Sequence, residues 1–294
     1  MLDGEALTAA LLDHRGMDLE SADRVTYVLQ QTFRYEYEAP VEALRQRLVV
    51  VPPDRHGSQH RRGHRLEVTG ARARRRVRRD SHGNVVAWLH ADRVEQVVEF
   101  RLVAVLERIR GDGPAVLPAA ALRSPGLLRP TLLTSSDYRL RELGAGIAAS
   151  SDSPVGRAER ICDLVHAAIG YEYGVTSVQT TAAQALAGGR GVCQDSAHVM
   201  LALCHVVGLP ARYVSGHLIG QGGTHAWVEV IVPDGPAAIA IAFDPCNGRR
   251  AGSGYITVAT GRDYADVAPT SGSYSGTSAG RLTASRRVGV LSAA

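Results

Sequence analysis

Gly191-Val192-Cys193-Gln194-Asp195-Ser196-Ala197-His198, continued through Val199-Met200-Leu201-Ala202-Leu203-Cys204-His205-Val206-Val207, is the stretch on which the reading of this chain turns. From Cys193 onward it reads as one apolar helix, and Gly208-Leu209-Pro210 stops it with a glycine cap followed by proline. Cys193 therefore stands at a helix start, where unpaired backbone amides and the helix dipole favour an anion. Gly188, Gly189 and Gly191 ahead of it let the chain turn tightly and let another backbone approach. Taken alone, such a cysteine is equally well read as a small buried side chain.

The residues that follow shift that balance. Segments 211–218, 226–232 and 238–243 read as three strands after the helix. His225 enters the second strand after Gly222-Gly223-Thr224, and Asp244 ends the third, just before Pro245. If these two strands pair as a hairpin, His225 and Asp244 come to the same end of the sheet, where the carboxylate can hold the imidazole in one tautomer. Cys193 as nucleophile, His225 as base and Asp244 as orienter complete a set suited to covalent catalysis.

Outward from this centre, helical periodicity occupies 154–169 and, more briefly, 181–187. Helices followed by an antiparallel sheet give an α+β core, assigned here to residues 136–269. Gly111, Gly113, Pro114, Pro118, Pro125, Gly126 and Pro130 mark 111–135 as a linker. Residues 24–110 carry short strand-like runs separated by turn clusters, which predicts an N-terminal antiparallel β domain, with a sandwich as one form it can take. Residues 1–23 read as a short helical extension, with Ala6, Leu7, Ala10 and Leu11 on one face. Residues 270–294 form a C-terminal tail whose Ser and Gly content between Thr270 and Gly280 predicts flexibility.

The motifs resemble a known family. Gly191-Val192-Cys193-Gln194-Asp195-Ser196-Ala197-His198, Gly208-Leu209-Pro210-Ala211-Arg212-Tyr213-Val214-Ser215-Gly216, His225-Ala226-Trp227-Val228-Glu229-Val230 and Asp244-Pro245 are similar to successive motifs of the bacterial transglutaminase-like superfamily, related to papain-fold cysteine proteases. Ala259-Thr260-Gly261-Arg262-Asp263-Tyr264-Ala265-Asp266-Val267-Ala268-Pro269 is similar to a C-terminal signature of one bacterial branch. Arg34-Tyr35-Glu36-Tyr37-Glu38-Ala39-Pro40-Val41 and Asp80-Ser81-His82-Gly83-Asn84 resemble that branch's N-terminal β domain. The resemblance implies a papain-like core, a triad of Cys193, His225 and Asp244, and no metal or organic cofactor. Two departures stand out: Cys246 lies where the resemblance leads one to expect threonine, and Cys204-His205 replaces a more usual Arg-containing pair.

The expected reaction is acyl transfer on a peptide or amide bond through a Cys193 thioester. Hydrolysis is the leading reading, with transamidation of protein glutamine or a non-catalytic peptide-binding scaffold as alternatives. The backbone amide of Cys193 is the first expected oxyanion donor, and Gln184 and Gln194 are candidates for the second. Trp227 is expected to wall the site, and Arg212 and Tyr213 serve either substrate or strand packing.

Composition sets the remaining bounds. The 294 residues are 45% hydrophobic and 21% charged, ordinary globular usage that excludes a disordered or fibrous chain. Asp3 and Glu5 sit where an export signal would carry positive charge, and no run is long and apolar enough for a bilayer, so the expected location is cytoplasmic. Cys162, Cys193, Cys204 and Cys246 include no CxxC pair and are expected as free thiols. His56, His60 and His64 recur every fourth residue, but the surrounding Pro52, Pro53, Gly57 and Gly63 oppose the helix that would align them on a metal. His198 and His205 are read as packing residues. The net charge of +4 reflects Arg72, Arg74, Arg75, Arg76, Arg78 and Arg79, read as a solvated hairpin arm ending at the turn 80–84. With no interleaved aromatics in the run, neither nucleic acid nor membrane is expected as a partner.

Overall fold

The computed structural model describes residues 4–150 and 152–294. In chain order it runs α1 (Gly4–Ala9), β1 (Arg24–Tyr37), β2 (Val41–Val51), β3 (Arg55–His56), β4 (Gln59–Thr69), β5 (Ala73–Arg79), β6 (Val85–Val94), β7 (Val97–Ile109) and β8 (Ala115–Pro118). Then follow α2 (Pro125–Leu128), α3 (Tyr138–Ala148), α4 (Pro154–Ala168), β9 (Gly170–Tyr171), α5 (Ala182–Gly188), β10 (Arg190–Gly191) and α6 (Cys193–Val206). The chain ends with β11 (Ala211–Leu218), β12 (His225–Asp234), β13 (Ala237–Asp244), β14 (Arg249–Arg250), β15 (Tyr255–Gly261), α7 (Tyr264–Val267), β16 (Thr270–Ser275) and β17 (Gly280–Ala293). The fold is α+β, as the order of periodicities predicts.

Alternation builds the first unit. In β1, Val25, Tyr27, Leu29, Gln31 and Phe33 are buried while Thr26, Gln30, Thr32 and Arg34 are less so, the two-residue period of a half-buried strand. Two sheets, ordered β17-β1-β7-β4-β3 and β16-β2-β6-β5, enclose a shared core that includes Tyr27, Phe33, Leu48, Leu89 and Phe100. In the second unit the sheet β14-β13-β12-β11-β15 packs one face against the helices. Ala226, Val228, Val230 and Val232 of β12 join Ile161, Val165, Leu186, Met200 and Leu203 in one cluster.

Three expectations need correction. The linker 111–135 is partly woven into the core, because β8 pairs antiparallel with β13 from Ala115↔Ala240 to Pro118↔Ala237. Its prolines occupy positions that tolerate them: Pro118 ends an edge strand and Pro125 opens α2. The tail 270–294 is ordered, since β16 pairs with β2 and β17 with β1 from Val25↔Ala293 to Tyr37↔Gly280. Small residues there signal an exposed strand held by backbone bonds, and composition alone cannot tell this from flexibility. Within the extension, α1 spans only Gly4–Ala9, and Met1, Leu2 and Asp3 lie outside the described residues.

The β domain also closes the core's open edge. β15 is an outer strand, and an outer strand leaves backbone groups in need of partners. Gln59 donates to the Thr257 carbonyl (2.8 Å) and accepts from its amide (2.9 Å). Asn84 does the same for Thr260 at 2.7 and 2.9 Å, and Arg108 donates to the Tyr255 carbonyl at 2.6 Å. The turn 80–84 is therefore docked at its Asn84 end rather than wholly solvated. No helix among the described residues is long and apolar enough to cross a membrane. Substituting Gln59→Leu or Asn84→Leu keeps the volume but orphans two backbone groups. Each is expected to lower the urea unfolding free energy by roughly 2 kcal/mol.

Candidate active site

Cys193 begins α6, a helix buried on all sides from Asp195 to Cys204 and packed against α3, α4, α5, β11 and β12. The turn before it is fixed by Asp195, whose Oδ2 accepts the Val192 amide (2.8 Å) and the Thr176 hydroxyl (2.7 Å). A Cβ at Gly191 would sit 2.6 Å from that oxygen, so glycine alone fits the close approach. Burial raises the Asp195 pKa despite these bonds. Cys193 itself is half-buried, and the first amides of α6 lack acceptors within the helix.

His225 opens β12 and Asp244 closes β13, and the register Val228↔Phe243 brings them to one end of the sheet. His225 Nε2 lies 2.7 Å from Asp244 Oδ2. The same oxygen accepts from Asn247 Nδ2 (2.6 Å) and the Tyr255 hydroxyl (2.7 Å). Oδ1 accepts the backbone amides of Cys246 (3.0 Å) and Asn247 (3.2 Å). Burial pulls the Asp244 pKa up, yet these donors, His225 foremost, hold it below its ordinary value. Nε2 is committed to Asp244, and the Cys193 side chain interacts with the same ring. Burial works to lower the His225 pKa, but Asp244 and Cys193 outweigh it and push it up to about 9.

Aromatic rings hold the imidazole in place. Trp227 stacks on His225 with centroids 6.2 Å apart, Tyr255 lies at 5.9 Å, and the two rings meet edge to face at 5.4 Å. A side chain at Gly216 would collide with the Trp227 ring and the Ile256 carbonyl, so β11 passes beneath the ring only as glycine. A buried relay reaches the same loop from the β domain. His217 Nδ1 lies 3.2 Å from the Gly223 carbonyl, which can only accept, so Nδ1 carries the proton. His217 Nε2 then accepts from Gln31 Nε2 at 3.0 Å. Burial pushes the His217 pKa down to about 4, which keeps that tautomer neutral.

Comparison with known proteins fits this geometry. Residues 27–107 match the family described as the bacterial transglutaminase-like N-terminal region. Residues 141–238, with Cys193 and His225 inside them, match the transglutaminase-like superfamily. The two matches give this chain a transglutaminase-like core preceded by a bacterial transglutaminase-like N-terminal region. An uncharacterized protein of Mycobacterium tuberculosis is 28% identical over 278 residues, spanning 85% of this chain and 83% of its own length. One from Mycobacterium leprae is 34% identical over 160 residues, 51% of this chain and 55% of its own. The crystal structure of a protein provisionally designated a cysteine protease, from Cytophaga hutchinsonii, superposes with a TM-score of 0.74 at 22% identity, covering 92% of each chain. At that identity the likeness speaks for the fold.

The other candidates in this transglutaminase-like chain fall elsewhere. Gln184 caps α5, its Oε1 accepting the Thr181 amide at 2.9 Å, and Gln194 is half-buried on the first turn of α6. His56 and His60 bond Glu229 (2.6 Å) and Asp112 (2.5 Å), and His64 bonds Arg61; all three ride on β3 and β4, not on a helix. Arg212 pairs with Glu229 at 2.7 Å, a buried bridge shared with His56. Tyr213 packs against His198 in the core, and burial pushes His198 and His205 down to about 4. Burial raises Cys246 to about 12, and its amide holds Asp244. Asn247, Tyr255, Gln31 and His217 were not singled out from the sequence. Only Asn247, three residues after Asp244, lay within a segment already under scrutiny. Tyr171 was missed too: it lies close enough to Cys193 and Cys246 that both raise its pKa, after burial as the first cause.

Two outcomes are expected. Because the native His225 pKa stands above its ordinary value, its stabilisation is full below about pH 6.5 and fades as pH rises through about 9. NMR of the ring should show titration near that upper value, lowered in Asp244→Asn. Gln31→Leu removes the donor to His217 and is expected to slow Cys193 alkylation about fivefold, the equivalent of one hydrogen bond of about 1 kcal/mol, with unchanged circular dichroism.

Proposed function

We propose that this protein is a cysteine-dependent acyl-transfer enzyme that hydrolyses peptide or amide bonds, with Cys193 as nucleophile, His225 as base and Asp244 as orienting carboxylate. The observation that carries the reading is the hydrogen bond of His225 Nε2 to Asp244 Oδ2, together with the interaction of the Cys193 side chain with the same ring. The fold shared with a protein provisionally designated a cysteine protease is consistent with hydrolysis and leaves transfer as the second reading.

In this mechanism Nδ1 takes the thiol proton and the sulfur attacks the carbonyl carbon. The tetrahedral oxyanion meets the Cys193 backbone amide, a kind of donor whose loss costs about 100- to 1000-fold in rate. As the carbon–nitrogen bond breaks, the imidazolium returns its proton to the leaving amine, and a thioester remains. Water, deprotonated by His225, attacks the thioester, releasing a carboxylic acid and the free thiol. A primary amine in place of water would give an amide, which is transamidation.

Iodoacetamide is expected to alkylate Cys193 at pH 6 faster than it alkylates free cysteine. An equal rate sinks the proposal. Asp244→Asn should retain the fold and lose on the order of 1000-fold or more in turnover of the acyl group trapped on Cys193. Mass spectrometry of that trapped group with and without added amine separates hydrolysis from transfer.

A further inference from the structure

Strand β5, Ala73-Arg74-Arg75-Arg76-Val77-Arg78-Arg79, is the outer strand of the sheet β16-β2-β6-β5, bonded to β6 on one side and, among the described residues, to no strand on the other. Charge on such an edge has an ordinary use, which is to keep copies of the sheet from pairing. That use leaves the charge balance unexplained. Arg74 pairs with Asp92 and Arg79 with Asp54. Among the described residues, Arg72, Arg76 and Arg78 have no carboxylate at ion-pair distance, and six of the seven residues of β5 are exposed.

The cross-strand register adds what the linear sequence lacks. Arg76 lies opposite Trp88, which in turn lies opposite Arg47, and Arg74 and His90 precede Arg45 in the same way. Trp88 is 49% exposed and Val77 50%. The run has no aromatic of its own, but the neighbouring strand sets an indole between two arginines.

We propose that the free edge of β5 is a docking site for an extended acidic segment of a partner protein, which adds to the sheet as a further strand. This inference stands independently of the acyl-transfer reading. Alternate residues of an extended chain recur at about 6.6–6.8 Å, the spacing of Arg74, Arg76 and Arg78 along β5, so a segment with Asp or Glu at every second position meets each arginine in register. Its backbone takes up the amides and carbonyls that the edge leaves open, as in β-strand addition. Nucleic acid fits less well, because one exposed indole is a single stacking platform and a nucleic-acid backbone offers no strand to pair.

The test uses the whole chain and a blocked synthetic peptide alternating Glu with Val. Binding is expected to change Trp88 emission, a signal lost in Trp88→Phe, and to slow amide exchange across residues 73–79. Arg76→Glu combined with Arg78→Glu should weaken binding at least tenfold, while Arg129→Glu, an exposed change elsewhere, leaves it unchanged. The same peptide N-methylated at every residue, which has no amide left to donate along either edge, should not bind. Unchanged affinity in the double variant, equal binding of the N-methylated peptide, unaltered exchange at 73–79, or tighter binding of an oligothymidine of equal charge would each overturn the proposal.

Discussion

A sulfur on a helix and an imidazole on a sheet stay in register only while the helix cannot slide against the sheet. The sequence meets this constraint by burying α6 on every side from Asp195 to Cys204, enclosed by α3, α4, α5, β11 and β12. Side chains inside such a packed interior have no vacant volume into which to move, and any sliding of α6 would have to open one. Asp195 then settles the last degree of freedom, the direction in which the chain enters the helix, by bonding the amide ahead of Cys193.

On the sheet side the arrangement is electrostatic rather than steric. Asp244 is fully buried and would be costly as an anion by itself, but donors from His225, Asn247, Tyr255 and two backbone amides surround it. A carboxylate so furnished stays ionised and in one orientation, and that orientation fixes the His225 ring through Nε2. The β domain contributes at a distance, through Gln31 and His217 to the loop before His225, and through Gln59, Asn84 and Arg108 along β15.

What could be read in advance was local, or repeated locally. The helix stop at Gly208-Leu209-Pro210 depends on the backbone freedom of one glycine, and α6 ends at Val206 with Gly208 at φ 71°. The hairpin argument put His225 and Asp244 at one end of a sheet, and their side chains meet there. Helix α3 went unread because Gly144 and Gly146 blur its period; Gly144 is explained by Val206, which a Cβ at that position would strike. β8, β16 and β17 were hidden for a different reason: a strand's partner is chosen by the whole fold, and their own composition carries no trace of it. Gln31, His217 and Tyr255 matter through pairings of strands remote in sequence, which no local pattern announces.

The pairing of β17 with β1 means that the core is spliced into the middle of the sandwich. Arg24 and Ala294 exchange backbone hydrogen bonds, so the first long strand finds this neighbour only after the whole core has been threaded between them. A growing chain on the ribosome therefore carries an incomplete sandwich until residues 280–293 emerge, and contacts of such sequence separation form slowly. This threading withholds one brace on the Gln31 relay, the pairing of Gln31 with Arg286, until the whole core has been made.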